Sequence, residues 1–285
     1  MLKKVSVLLV VALLVSLSAC GCLHDWIDAT CTEAKTCVKC GEVQGEALGH
    51  TWQEDVEICT VCNFDNRPID EQFMDHLVRG LEARWVLTNS TSATTKEHWL
   101  SYFDAEYNEI IAYEKADFEN EELGKWAKAY IKSIVDAKGI IDYVGTNQWE
   151  SKYTNGIYNE RCEALFEINE ICPVSVSGEN HGHLLDILCH GEAIKLSSYL
   201  FENLVFEYKS GSYGWKEYEA LVKNTTSLTF KSFWIDVDLI DEDGVTVETT
   251  SAYIENWDPG ETVRCQLSTS AKFKEMELES MSWYY

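Results

Sequence analysis

Beyond residue 19 the chain lacks any segment apolar enough to span a bilayer, which places the remainder outside the hydrocarbon core. It is also poor in cations. Against 48 Asp and Glu there are 23 Lys and Arg, a formal net charge of −25 that falls to −27 if Lys3 and Lys4 are removed with a signal segment. A field of that sign repels nucleic acid and anionic lipid, so phosphate-backbone binding is disfavoured. Its plain meaning is a solvated acidic surface. Catalytic signatures are missing as well: there is no His-Glu-x-x-His, no Gly-x-Ser-x-Gly, no phosphate-cradling glycine loop and no dinucleotide fingerprint. Acidic residues are too abundant for one pair, such as Asp236 and Asp238, to stand out as acid and base.

What the chain does have begins with its first residues, MLKKVSVLLVVALLVSLSAC. Lys3 and Lys4 form a positive start, and the apolar run Val5 to Leu17 is too short to cross a membrane comfortably. Leu17-Ser18-Ala19-Cys20 resembles the lipobox of bacterial lipoproteins. The resemblance implies removal of residues 1–19 and acylation of Cys20, leaving the chain lipid-anchored on the extracytoplasmic face of the cell membrane. Two acyl chains suffice for stable anchoring without a transmembrane helix.

About 265 residues then remain, 46% of the whole chain being hydrophobic and 12% aromatic, which is a globular composition with room for a core. Residues 20–66 are rich in Cys, His and Gly and show no sustained period, as expected of a loop-rich module held by metal or disulfide. Residues 70–200 turn helical. Phe73, Leu77, Leu81 and Trp85 recur every fourth position, flanked by Met74, Val78 and Val86. Trp99, Phe103, Tyr107, Ile110 and Ile111 form a second stripe. Leu123, Trp126, Ala127, Tyr130, Ile131, Ile134 and Val135 form a third. A fourth, Trp149 to Ile168, is interrupted at Asn155-Gly156, and Thr94 or Thr95 is a candidate N-cap. Such amphipathic stripes need one another, so a helical bundle is expected, with Trp and Tyr in its core. HLLDILCHGEAIKL, His183 onward, reads as one more short helix.

From Leu204 the period changes to two. Six or seven short strands fill residues 204–285, with turns at Asp241-Glu242-Asp243-Gly244 and Asp258-Pro259-Gly260-Glu261. On one of them Phe233, Ile235, Val237 and Leu239 share a face, with Trp234, Asp236 and Asp238 opposite. The fold class expected is therefore multidomain α+β: a small zinc-ribbon-like module, a helical bundle and a C-terminal antiparallel sandwich.

The chemistry is concentrated in the cysteines. Cys37-x-x-Cys40 and Cys59-x-x-Cys62 are separated by 18 residues, the arithmetic of a zinc ribbon. Gly41 suits the tight turn after the first pair. His50-x-Trp52 echoes His24-x-Trp26, and each runs on to a C-x-x-C, Cys37 lying eleven positions after Trp26 but Cys59 only seven after Trp52. Two partitions of a structural zinc are open. One ion takes Cys37, Cys40, Cys59 and Cys62, leaving His24, Cys31 and His50 secondary. Alternatively each repeat holds its own, with His24, Cys31, Cys37 and Cys40 complete and His50, Cys59 and Cys62 short of a ligand unless Cys22 or a neighbour supplies it. Disulfides compete because the chain is read as exported, but interleaved histidines have no role in them. A thioredoxin-like motif would need a βαβ setting that is absent. His181, His183 and His190 read as a polar turn entering a helix rather than a metal cluster. Cys162, Cys172, Cys189 and Cys265 read as buried thiols or one disulfide such as Cys172–Cys189.

VKNTT (Val222 to Thr226), VDLIDEDG (Val237 to Gly244) and NWDPGETV (Asn256 to Val263) resemble the FxLYD-type domain of bacterial surface and secreted proteins, with Val237-Asp238-Leu239-Ile240-Asp241 replacing its aromatic and tyrosine. That likeness implies an immunoglobulin-like sandwich used as a non-catalytic interaction module. His24, Trp26, Ala29, Thr30, Cys31, Cys37, Cys40 and Gly41 are similar to a Cys/His repeat found after the lipobox in lipoproteins of anaerobic Gram-positive bacteria. Together these features lead to the expectation of a non-enzymatic, lipid-anchored surface protein whose partner is an envelope protein or glycan and not nucleic acid. The alternatives are an unrecognised hydrolase in the helical region and extracytoplasmic zinc sensing or delivery.

Overall fold

Thr95 starts a helix by accepting the backbone N–H of His98 at 3.3 Å, and Asn120 does the same for Glu122 and Leu123 at 3.1 Å. The computed structural model in which these caps are seen describes residues 22–285 except 54, 55, 91, 93 and 94. The lipobox at 17–20 and Thr94 thus lie outside the described residues. The chain is α+β and divides into two units, Met1–Pro68 and Ile69–Tyr285. No helix among the described residues is long and apolar enough to cross a membrane.

Among its described residues the first unit contains only short antiparallel strands. β1 (Trp26–Ile27), β2 (Lys35–Cys37) and β3 (Val43–Gln44) form one sheet in that order, and β4 (Trp52–Gln53) pairs with β5 (Val56–Cys59) in another. Cys31, Cys37 and Cys59 are its buried sulfurs. Around them Leu23, Ile27, Val38, Val43, Leu48, Val61 and Phe64 are exposed, so the described residues of this unit have almost no apolar core of their own.

In the second unit α1 (Ile69–Ser90), α2 (Lys96–Ile110), α3 (Glu121–Gly139), α4 (Tyr158–Ile171) and α5 (His181–Asn203) are followed by six strands. The expected stripes are the core: Phe73, Leu77, Leu81, Phe103, Ala127, Tyr130, Ile131, Ile134, Leu165 and Ile168 are almost fully buried, whereas Val86 and Val135 are exposed. In this core Trp99 stacks on Phe103 and Trp149 on Tyr153, and the two pairs meet through tilted and edge-to-face contacts. The interruption at Asn155-Gly156 does not break the chain's helical course; Glu150–Ile157 is a π-helical segment leading directly into α4. HLLDILCHGEAIKL belongs to a helix of 23 residues rather than a short one. Leu184 and Ile187 of α5 join the helical core, while Ala193, Leu196 and Leu200 join a second core among the strands. One helix thereby serves both.

At the centre of the helices four elements meet at one carboxylate. Glu106 of α2 accepts from Arg84 of α1 at 2.8 Å, from Tyr130 of α3 at 2.7 Å and from Arg161 of α4 at 2.7 and 3.0 Å. Burial opposes ionisation of Glu106, but the Arg161 and Arg84 guanidiniums outweigh it and hold the carboxyl below its usual range. Gly80 permits this meeting, since a Cβ there would stand 3.1 Å from the Glu106 Cα.

The strands β6 (Glu207–Ser212), β7 (Trp215–Lys223), β8 (Phe230–Ile240), β9 (Thr246–Trp257), β10 (Thr262–Thr269) and β11 (Glu275–Tyr284) form two three-stranded sheets, ordered β10-β7-β6 and β11-β8-β9. Every pairing is antiparallel. Val222, Cys265 and Leu267 from one sheet and Phe233, Ile235, Val237, Leu239, Ala252 and Ile254 from the other share one cluster. On the opposite face of β8, Asp236 accepts from Ser251 and Ser280, and Asp238 from Thr249, each within 2.7 Å. These two carboxylates are therefore occupied by cross-strand hydrogen bonds. The segments VKNTT and NWDPGETV are knitted together. Buried Asn224 donates to the carbonyls of Leu228 at 2.7 Å and Trp257 at 3.1 Å and accepts from the Thr226 hydroxyl at 2.7 Å, while Trp257 Nε1 donates to the Glu261 carbonyl at 3.1 Å.

Replacing Glu106 by Gln leaves two buried guanidiniums undercompensated and should destabilise the second unit by about 3–5 kcal/mol, against about 1–3 kcal/mol for Tyr130→Phe, measured by denaturant unfolding. Because folding depresses the Glu106 pKa, its contribution is fully present above the unfolded value of about 4.3 and is lost as pH falls through the folded value. The acid limb of the stability curve should flatten in Glu106→Gln.

Helix α5 makes a second prediction. A Cβ on Gly191 would lie 2.3 Å from the Cys162 carbonyl oxygen, whereas at Gly182 nothing lies within 4 Å. Gly191→Ala should cost about 1–3 kcal/mol or more by overpacking, and Gly182→Ala should be neutral or stabilise by about 0.4–1 kcal/mol.

Candidate metal centres

Each C-x-x-C is a tight turn closed by the same bonds. In the first, Gly41 N–H donates to the Cys37 carbonyl at 2.9 Å and Cys37 N–H to the Glu42 carbonyl at 2.8 Å. In the second, Asn63 donates to the Cys59 carbonyl at 2.9 Å and Cys59 to that of Phe64 at 2.7 Å. Gly41 and Asn63 both take positive φ, 72° and 59°, the left-handed conformation that glycine and asparagine accept most readily. Val38 N–H reaches the Asp25 carbonyl and Thr60 N–H the Thr51 carbonyl, which draws each histidine strand against its turn. His24 stacks on Trp26 at 5.0 Å between ring centroids, and His50 lies 5.3 Å from Trp52. The repeat seen in sequence is thus a repeat of backbone bonding.

The ligand atoms gather in two tetrads, Cys22, His24, Cys37, Cys40 and Cys31, His50, Cys59, Cys62, each with all atoms within 4.8 Å of one another. All seven candidate ligands fall in them, and the eighth is Cys22. Neither partition drawn from the sequence describes this grouping. The two C-x-x-C pairs do not share a site, and Cys31 does not join its own repeat. Thr30 and Cys31 accept at their carbonyls from Leu48 and Gly49, at 2.9 and 3.1 Å, which lays the Cys31 segment beside the approach to His50. Cys31 therefore crosses to the second repeat, and Cys22 fills the vacancy in the first. The spacing Cys22-x-His24 was the available signal for Cys22; nothing local announces the crossing of Cys31.

The donor set fits a tetrahedral ion. Bonds of about 2.3 Å to sulfur and about 2.0 Å to nitrogen give edges of about 3.8 Å between sulfurs and about 3.5 Å from sulfur to nitrogen. Cys22–Cys37 and Cys31–Cys59 measure 3.9 and 3.8 Å between Sγ atoms, and Cys40–His24 and Cys62–His50 measure 3.4 and 3.3 Å from Sγ to Nδ1. Those sulfur separations are far from a disulfide bond, and all the described cysteines, Cys172 and Cys189 included, are free thiols.

Electrostatics prepare one thiolate in each tetrad. Burial opposes ionisation of Cys37, yet the N–H groups of Asp25, Cys40 and Lys39 and the His24 ring bring its pKa down to about 6. For Cys59 the equivalent donors, Cys62, Val61, Thr51 and His50, overcome burial and bring it to about 5. Contact with Cys40 raises Cys22 to about 11, and burial raises Cys31 to about 11. Four protein donors per tetrad leave no open coordination position, so the arrangement suits a structural ion.

The second histidine group stays apart. His183 pairs with Asn89 at 3.0 Å and stacks on Trp85, and His190 pairs with Asn159 at 2.8 Å. Among the described residues, the two tetrads are the only gatherings of three or more such ligand atoms.

No family model and no curated protein matches the chain. Among solved structures it is similar to IrmA from Escherichia coli at 16% identity, over 29% of this chain and 80% of that one, with a TM-score of 0.25. A likeness that distant carries no argument about fold or function.

The crossing of Cys31 is testable by cobalt titration. The parent chain should take two equivalents with sulfur-to-metal absorption. Cys31→Ser should lose the second site and keep the first, while Cys22→Ser does the reverse. Protons compete for the thiolates, so affinity at both sites should fall as pH is lowered.

Proposed function

We propose that this chain is a lipid-anchored protein of the extracytoplasmic face of a bacterial cell membrane, built on a structural zinc module and serving a non-catalytic binding role in the envelope. The observation that carries the reading is the pair of closed Cys/His tetrads following directly on a lipobox-like Leu17-Ser18-Ala19-Cys20. Zinc is the ion of choice for three cysteines and one histidine in a tetrahedron, because it has no geometric preference of its own and no redox chemistry to lose outside the cell. A core-poor unit of this size needs such an ion to fold. Cys22, His24, Cys37 and Cys40 would hold one ion, and Cys31, His50, Cys59 and Cys62 the other.

In this reading residues 1–19 are the signal, 20–66 the zinc-ribbon-like module, 70–200 a helical bundle and 204–285 an immunoglobulin-like sandwich of the FxLYD kind. Support for the last is the bonding of Asn224 and Trp257, which gives the VKNTT and NWDPGETV segments a structural role. The acidic surface keeps a tethered protein soluble and turns it away from nucleic acid.

Expressed with its first residues intact, the chain should fractionate with membranes, incorporate labelled palmitate and yield two zinc per molecule by mass spectrometry. Cys20→Ser should abolish labelling and leave the zinc content at two. A soluble, unlabelled parent chain, or zinc-free protein with oxidised cysteines, would refute the reading.

A further inference from the structure

Where the π-helical segment, the start of α4 and the middle of α5 approach the end of β11, the second unit holds a cavity of about 490 Å³. That is within the range of small-molecule sites. None of its lining side chains is Asp, Glu, Lys or Arg, in a chain whose residues are 25% charged. The lining divides into two kinds of surface, and each has a defined geometry.

The polar wall is an ordered chain of hydrogen bonds. Asn159 Nδ2 donates to the Asn155 carbonyl at 3.2 Å, which turns Oδ1 toward His190. Oδ1 can only accept, so His190 Nε2 donates across 2.8 Å and Nδ1 keeps its lone pair. Burial pushes the His190 pKa down, which keeps the ring neutral. Thr154 and Ser282 add hydroxyls. The π-helical turn that places Thr154 and Asn155 is a deviation found frequently at functional sites, because it re-aims side chains out of the regular helical pattern.

The aromatic wall is braced from behind. Phe233 stacks under Trp283 at 5.9 Å and 16°, and Lys231 Nζ covers one face of Tyr284 at 4.6 Å. Trp283 stands 5.9 Å from His190, and His190 stands 5.5 Å from Tyr158. β11 pairs only with β8 in its sheet, so it also brings a strand edge to this wall.

We propose that this cavity binds a neutral saccharide, a pyranose-sized ring or pair of rings bearing hydroxyls and no charge. Such a ring presents C–H groups on its faces, which suit tyrosine and tryptophan, and hydroxyls around its rim, each of which both donates and accepts. The rim needs neutral partners of mixed character, and the amide, imidazole and hydroxyl groups supply them. An anionic sugar would enter a strongly acidic protein whose lining carries no Lys or Arg side chain, and a cationic one would find no Asp or Glu side chain there. A purely apolar ligand would leave the polar wall desolvated without partners. The site is separate from the tetrads, and the proposal stands whether or not the chain is anchored.

The test titrates the full chain, purified in zinc-containing buffer, with methyl glucoside, cellobiose, maltose and diacetylchitobiose. Glucuronate and glucosamine serve as charged counterparts. Tryptophan fluorescence and saturation-transfer NMR report binding. At least one neutral sugar should bind and the charged counterparts should not. Asn159→Ala and Ser282→Trp, the second filling the cavity from an exposed position, should each weaken binding by about tenfold or more; both should stay folded, with the thermal midpoint unchanged in Ser282→Trp and lowered in Asn159→Ala by the loss of its hydrogen bonds. Trp283→Phe should shift the fluorescence response. Binding by none of the neutral sugars, equal binding of a charged counterpart, or affinities unchanged in folded Asn159→Ala and Ser282→Trp would each overturn the proposal.

Discussion

A carboxylate buried among helices must be met by cations and donors that converge from every side, and the second unit is arranged around that demand. Glu106 draws one residue from each of three neighbouring helices, Arg84, Tyr130 and Arg161. Burying any of these groups alone would cost several kcal/mol, so each helix is useful to the others only in one register. The aromatic cluster of Trp99, Phe103, Trp149 and Tyr153 then fills the space beside it. From α4 the constraint passes to α5 through the close approach of Gly191 to Cys162, and from α5 to the sheets through Ala193, Leu196 and Leu200. The cavity lined by His190 and Trp283 lies along the same line of packing.

The first unit meets a related demand without a core. Among its described residues the buried groups include three sulfurs, and they converge on two positions suited to a tetrahedral ion. One turn geometry, with Gly41 or Asn63 at positive φ, is used twice. The exchange of a ligand between repeats changes the consequence. Because Cys31 lies in sequence between His24 and Cys37 of the first tetrad, the two tetrads share one stretch of chain. Two independent beads would have been possible with a cysteine near residue 48, and Leu48 stands there instead.

Much of this was legible residue by residue. Apolar positions at helical spacing became the core of α1 to α3, alternation on β8 put Phe233, Ile235, Val237 and Leu239 inside, and the two C-x-x-C turns were visible with their histidines. The failures have physical causes. Glu106, Arg84 and Arg161 have the composition of a solvated helix face, and only tertiary pairing makes their burial tolerable. The full length of α5 was hidden because its buried stripe, Leu184, Ile187 and Gly191, steps around the helix to Ala193, Leu196 and Leu200 as it passes from one core to the other. The π-helical segment preserved continuity where Asn155-Gly156 signalled an end.

By itself the sequence determined what depends on neighbours within a few positions: helical and strand periods, the cap at Thr95, and the C-x-x-C turns. These rest on interactions that close within one or two turns of chain, so residue type and spacing are enough. Tertiary structure alone decided which four donors share a tetrad, how a buried carboxylate is neutralised and where a neutral cavity opens. Those outcomes depend on segments distant in sequence arriving at one point, as Cys31 does beside His50 and His190 beside Trp283, and no local pattern records that arrival.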